Sequence, residues 1–167
     1  MAVGHIIVTE QVHARFKSVL ENLDREANAK FVFLVDKSGQ QIAAVGELDD
    51  VDPTSLASLT AGNVAATEGV AQLVGEEEFT TMFHEGRKES LHITVVADQV
   101  ILVVLFDERS SLGLVKLRVE QVIPELGAIV RELMNPTEPL DETKTSNEDT
   151  SVGQITDADI DALFGDN

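Results

Sequence analysis

The sequence predicts an α/β fold: a three-layer α-β-α sandwich in which three helices cover a five-stranded, mainly antiparallel sheet, in the order α-β-β-α-β-β-β-α. Three observations predict it. The stretches "FVFLV" (31–35) and "VILVVLF" (100–106) are apolar at every position, which requires burial on both faces at the centre of a sheet. Three longer segments carry apolar residues at helical spacing. Shorter stretches bounded by turn residues stand beside the two apolar runs, so helices must cover both faces of the sheet.

In the first helix Thr9 is placed as a cap, and Val12, Phe16, Val19, Leu20, Leu23 and Ala27 form one stripe, with Arg15, Lys17, Glu21 and Asp24 mostly outside it. "KFVFLVD" and "QIAAVG" make a hairpin around "KSGQ", whose glycine suits a positive φ. After the acidic loop "ELDDV", Asp52 as N-cap and Pro53 at the first helical position start a long helix that Gly75 is placed to end. "TTMFHEG" reads as a short edge strand. "SLHITVVA" alternates, with Leu91, Ile93 and Val95 on one face and His92 and Thr94 on the other. "FVFLV" and "VILVVLF" therefore lie side by side, flanked by "QIAAV" and "LHITVV". From Ser111 a third helix shows Val115, Val119, Val122, Leu126, Ile129, Val130 and Leu133 on one stripe, with a kink expected near residues 120–124 because Pro124 removes a donor.

Composition excludes several function classes. The 167 residues contain no cysteine, so disulfides, thiolate metal sites and cysteine nucleophiles are impossible. With 12 basic against 30 acidic residues the formal charge is -18, which repels nucleic acid and anionic membranes. Residues 135–167 hold nine of the acids against Lys144 alone, and residues 1–134 keep 11 basic against 21 acidic residues, a charge of -10. No apolar run approaches the roughly 20 residues that span a bilayer, and no secretory leader is evident, so a cytoplasmic protein is expected. The domain assignment is 1–134 for the folded domain, 135–154 for an acidic disordered linker and 155–167 for a short acidic amphipathic helix.

Motifs of chemistry are absent. His5, His13, His84 and His92 are scattered without metal-ligand spacing, and there is no phosphate-binding glycine motif and no nucleophile elbow. "DADID" (157–161) imitates the start of a calcium loop, but Ala162 stands where the loop needs glycine. The segment reads better as a capped helix, Thr156 with Asp159, that clusters Ile160, Leu163 and Phe164 as a partner-binding face. Neither a catalytic residue nor a metal or cofactor site is expected.

The long central helix, "SLASLTAGNVAATEGVAQLVG" (55–75), keeps Gly62 and Gly69 in its interior, each costing about 1 kcal/mol relative to alanine. Wound at 100° per residue, it puts Leu56, Leu59, Asn63, Ala66, Val70, Leu73 and Val74 on one face, expected against the sheet. The opposite face carries Ser58, Ala61, Ala65, Glu68, Gly69 and Gln72, with Gly62 at its margin, and is nearly flat. A partner backbone can approach it closely. A third face, Ala57, Val64 and Ala71, suits a neighbouring helix.

"FVFLVDKSGQQI", "TSLASLTAGNVAATEGVAQLVGE", "FHEGRKESLHITVV" and "LVVLFDERSSLGLVKLR" together resemble the roadblock/LC7 domain, a profilin/longin-like fold, in its bacterial MglB-type group. The resemblance covers residues 8–134, and "ITDADIDALF" is similar to the acidic terminal helix of some members. It implies a homodimer with paired central helices that acts as a GTPase-activating protein on a Ras-like small GTPase of the MglA type, one dimer to one GTPase, in cell polarity and gliding motility. A concentration at a cell pole and contacts with further polarity proteins also follow from it. GTP and magnesium would belong to the GTPase. Carried onto this chain, GTPase contacts fall to Ala61, Ala65, Glu68, Gly69 and Gln72, and dimer contacts to Ala57, Val64, Ala71, Thr81 and Phe83. The helix offers no arginine to insert; Arg87, Arg109 and Arg118 lie elsewhere, which fits a mode in which the GTPase's own catalytic loop is held in place. The alternative is a roadblock scaffold that recruits a GTPase or polarity protein without stimulating hydrolysis.

Overall fold

The computed structural model describes residues 6–135. Its elements are α1 (Glu10–Ala27), β1 (Phe31–Asp36), β2 (Gln41–Gly46), α2 (Pro53–Val74), β3 (Thr81–Glu85), β4 (Glu89–Val96), β5 (Val100–Asp107) and α3 (Leu112–Met134). This is the predicted order. The proposed linker and the short helix containing Ile160, Leu163 and Phe164 lie outside the described residues.

The strands form one antiparallel sheet in the order β2-β1-β5-β4-β3. The two continuously apolar strands are neighbours at its centre, with Phe31 opposite Leu105 and Val35 opposite Ile101. Strand pleating divides their side chains between two cores. Val32, Leu34, Leu102, Val104 and Phe106 meet Phe16, Leu20 and Leu23 of α1 and Val115, Leu126 and Ile129 of α3. Phe31, Phe33, Val35, Ile101 and Val103 meet Ala57, Ala61 and Val64 of α2. The result is the three-layer sandwich, with α1 and α3 on one face and α2 on the other.

Local chemistry sets the boundaries. The Thr9 side chain accepts from Val12 N, Asp52 accepts from Thr54 N and Ser55 N, and Ser111 accepts from Leu114 N, each satisfying otherwise orphaned amides of a helix's first turn. Gly75 ends α2 in the left-handed region at φ 84°. Gly39 turns the first hairpin at φ 92°, and a Cβ there would stand 3.1 Å from the Ser58 Cα, so this turn comes close to the α2 backbone. Pro124 sits inside α3 on its exposed side, and the helix continues to Met134. No helix among the described residues is long and apolar enough to cross a membrane.

Candidate functional site: the outer surface of α2 and the β3 edge

The helix α2 lies on the sheet in a different rotation from the one its wheel suggests. Ala57, Thr60, Ala61, Val64 and Ala71 are buried, whereas Leu59 is 74% exposed, Val70 51%, Leu73 88% and Val74 63%. The face expected on the sheet is largely the solvent face, and the true sheet face is turned from it by about a third of a turn. Two sets of expectations are corrected. Ala57 and Val64 pack on the chain's own sheet and Ala71 is fully buried, so none of the three offers a surface to a second copy; Ala61, also packed on the sheet, is buried rather than presented to a partner.

The physical reason is the sheet's own bulk. β1 and β5 already supply Phe31, Phe33, Ile101, Val103 and Leu105 to this core, so the helix approaches through small side chains and Val64. A wheel that places the largest aliphatics inward assumes that the helix must bring the volume. No Lys or Arg marks the solvent side, and Glu68, the lone charged residue of α2, stands at the flank where it meets Lys37 Nζ at 2.9 Å.

The remaining predicted contact residues are accessible. Ala65, Gly69 and Gln72 are exposed and Glu68 is half-buried. Thr81 is exposed on β3, and Phe83 keeps 38% of its surface while its ring stacks on Phe106 at 6.2 Å between centroids. Gly62 and Gly69 face open space: an added Cβ would meet no atom within 4 Å. Crowding within the monomer therefore does not explain these glycines. The structure joins them to Leu59, Ala66, Val70 and Leu73 in an outward strip of small and aliphatic residues. Reading from sequence missed the aliphatic part of that strip, and the spacing of Gly62 and Gly69, seven residues apart, was the signal that pointed nearest to it.

Beside this strip Lys37, Glu68, Gln72, Glu77, Glu78 and Asp98 line an acidic hollow of about 340 Å³. Burial, with Asp98 as neighbour, pushes the Glu78 carboxyl above its ordinary value. β3 is the last strand of the sheet, so one of its sides pairs with no strand among the described residues. Arg109 is held by Asp107 at 2.9 Å and Arg118 by Glu26 at 3.4 Å. Among the described residues no three His, Cys, Asp or Glu side chains are grouped to hold a metal.

A five-stranded antiparallel sheet with two helices on one face and a single helix presenting an apolar outer strip on the other defines an α-β-α sandwich domain. Residues 15–106 match the roadblock/LC7 domain model, and the chain belongs to the roadblock/LC7 family. It is similar to Myxococcus xanthus MglB, with 50% identity and a TM-score of 0.73 over 79% of this chain and 99% of that one. The gliding protein MglB of Thermus thermophilus is 32% identical, with a TM-score of 0.72 over 76% of this chain and 96% of its own. A third solved structure, described as MglB with tetrameric arrangement, is likewise 32% identical, with a TM-score of 0.72 over 77% of this chain and 96% of its own. Schizosaccharomyces pombe profilin, at 14% identity and a TM-score of 0.52 over 68% of this chain and 97% of its own, shares the fold alone. No curated protein matches. The chain is thus an MglB-like member of the roadblock family.

Proposed function

We propose that the protein is a homodimeric regulator that binds a Ras-like small GTPase of the MglA type and stimulates its GTP hydrolysis. One observation carries the proposal: α2 turns aliphatic residues and two unhindered glycines to solvent on a chain 50% identical to an MglB. Large aliphatics left in water are unfavourable, so the strip calls for a cover. The dimer forms through Leu59, Val70, Leu73 and Val74 together with the β3 edge at Thr81 and Phe83. Ala65, Glu68, Gly69 and Gln72 remain for the GTPase.

Stimulation without an inserted arginine requires the partner's own catalytic loop to be held in place. A flat helix surface suits that task, because backbone can approach backbone at Gly69 and Ala65. The chain contributes no nucleotide or magnesium ligand of its own; both stay with the GTPase. Residues 155–167 add a second contact to the GTPase through Ile160, Leu163 and Phe164, and the cellular role is in polarity and gliding motility, at a cell pole. The test is single-turnover GTP hydrolysis by the cognate MglA-type GTPase with and without this protein. A bound GTPase whose rate is unchanged would make the protein a recruiting scaffold.

A further inference from the structure

On the face of the sheet covered by α1 and α3, the edge strand β3 is left exposed. Thr81 and Phe83 of β3 stand opposite Thr94 and His92 of β4, and all four side chains share that face. Between this strip and α3 opens a groove of about 340 Å³, lined by Thr81, His92, Thr94, Lys116, Val119 and Ile123 among others. His92 forms its base and is only 2% exposed. Its Nδ1 lies 3.3 Å from Thr94 Oγ1, and among the described residues this is the ring's only hydrogen-bond partner. Nε2 makes no hydrogen bond among the described residues and is not sealed from solvent, which leaves it available to a ligand.

Two charged side chains of α3 face the ring, Lys116 and Glu120, while its cross-strand neighbours Phe83 and Val104 carry no charge. Burial lowers the proton affinity of His92, Lys116 lowers it further, and Glu120 opposes with the smaller effect. The field at the base of the groove is therefore set more by the lysine than by the glutamate. Lys116 makes no ion pair among the described residues, in a chain whose formal charge is -18. The lysine and the imidazole converge on one opening walled by Val119 and Ile123.

We propose that this groove is a binding site for a carboxylate carried on an apolar body, with Lys116 Nζ and the His92 ring on the carboxylate and Val119 and Ile123 against the apolar part. The site lies on the opposite side of the sheet from α2, beside the β3 edge proposed for the dimer, and does not depend on GTPase binding. A bound carboxylate stabilises the imidazolium, so binding takes up a proton at His92 and strengthens as pH falls toward the histidine range.

The test follows the His92 ring resonances of the full chain by NMR during titration with 4-phenylbutyrate, and in parallel with 4-phenylbutanol. The acid should saturate and raise the pKa of His92, and the alcohol should bind at least about threefold more weakly. Lys116→Met, at an exposed position that leaves the core untouched, should weaken the acid about three- to tenfold and leave the alcohol unchanged. A capped apolar peptide bearing one glutamate distinguishes the sources: tighter binding than the free acid assigns the site to a protein side chain, weaker binding to a small molecule. Equal binding of acid and alcohol, no effect of Lys116→Met, or the absence of saturable shifts with both the acid and the peptide would overturn the proposal.

Discussion

Replacing Leu73 by aspartate separates a dimerisation surface from a merely tolerated exposed residue. Leu73 is 88% exposed in the monomer, so the change removes almost no intramolecular contact, and folding stability should move by no more than about 0.5 kcal/mol. If the aliphatic strip is the interface, the same leucine is buried twice across the two-fold axis. Covering one leucine contributes roughly 1.5–3 kcal/mol, so losing two contributes about 3–6 kcal/mol, or roughly 10² to 10⁴ in the dimer dissociation constant. The introduced carboxylates, facing each other or apolar partner surface, act in the same direction. Sedimentation equilibrium over a wide concentration range measures the constant, with circular dichroism to confirm folding. Leu117→Asp, on α3 and 49% exposed, is the control and should leave self-association unchanged. A dimer as tight in Leu73→Asp as in the parent chain would refute the assignment, and so would a parent chain that is monomeric at micromolar concentration.

Ala65→Arg with Gly69→Arg should abolish GTPase binding in a pull-down or calorimetric titration while the dimer stays folded, because both positions are exposed and Gly69 has open space around it. Arg87→Ala and Arg109→Ala should each lower stimulated hydrolysis less than tenfold, against the roughly 10³ to 10⁵ expected for an inserted arginine finger. Ser111→Ala, which removes the cap that accepts from Leu114 N, should cost about 1 kcal/mol in urea unfolding. Burial holds the His92 pKa below its ordinary value of 6.5, so the unfolded chain takes up this proton first as pH falls. Stability from this group is complete at about pH 7.5, declines below about 6.5 and levels off below the folded value; urea midpoints of the parent chain and of His92→Gln, compared between about pH 7.5 and 5, should show the steeper loss in the parent. Removing residues 150–167 should weaken GTPase affinity and spare the dimer, as measured by titration and sedimentation, because a tethered second contact is lost.

What could be read in advance was whatever a short window of sequence settles by itself. Thr9, Asp52 and Ser111 act on amides two or three residues away, and Gly39 and Gly75 take backbone angles that suit glycine, so caps and turns were legible. The place of β1 and β5 at the sheet centre was legible because an all-apolar strand has nowhere else to go. The rotation of α2 was not. Its sheet face is made of Ala57, Thr60, Ala61, Val64 and Ala71, and its solvent face of Leu59, Ala66, Val70 and Leu73, so the larger apolar residues point outward. Nothing local reverses the usual ordering; the volume that makes it work comes from Phe31, Phe33 and Ile101 on other elements. The His92 groove was illegible for a related reason, since Lys116 reaches the ring only once α3 is laid across β4.

The rotation of α2 leaves Gly62 and Gly69 facing open space, without a packing role inside the monomer. An interior glycine costs about 1 kcal/mol relative to alanine, and Gly62 and Gly69 together cost about 2 kcal/mol, a sizeable share of a typical margin of roughly 5–15 kcal/mol. Since an added Cβ at either position meets no atom within 4 Å, replacing both by alanine should recover most of that stability in the monomer. Under the proposed arrangement the same pair of methyl groups would intrude where a partner backbone comes close, so the variant should be harder to unfold and poorer at binding the GTPase. Urea unfolding of Gly62→Ala with Gly69→Ala, set beside its affinity for the GTPase, reads both quantities from one protein. A variant that gains stability and binds as tightly as the parent would leave the glycines without a role in docking, and one that loses stability would mean that they are needed for folding.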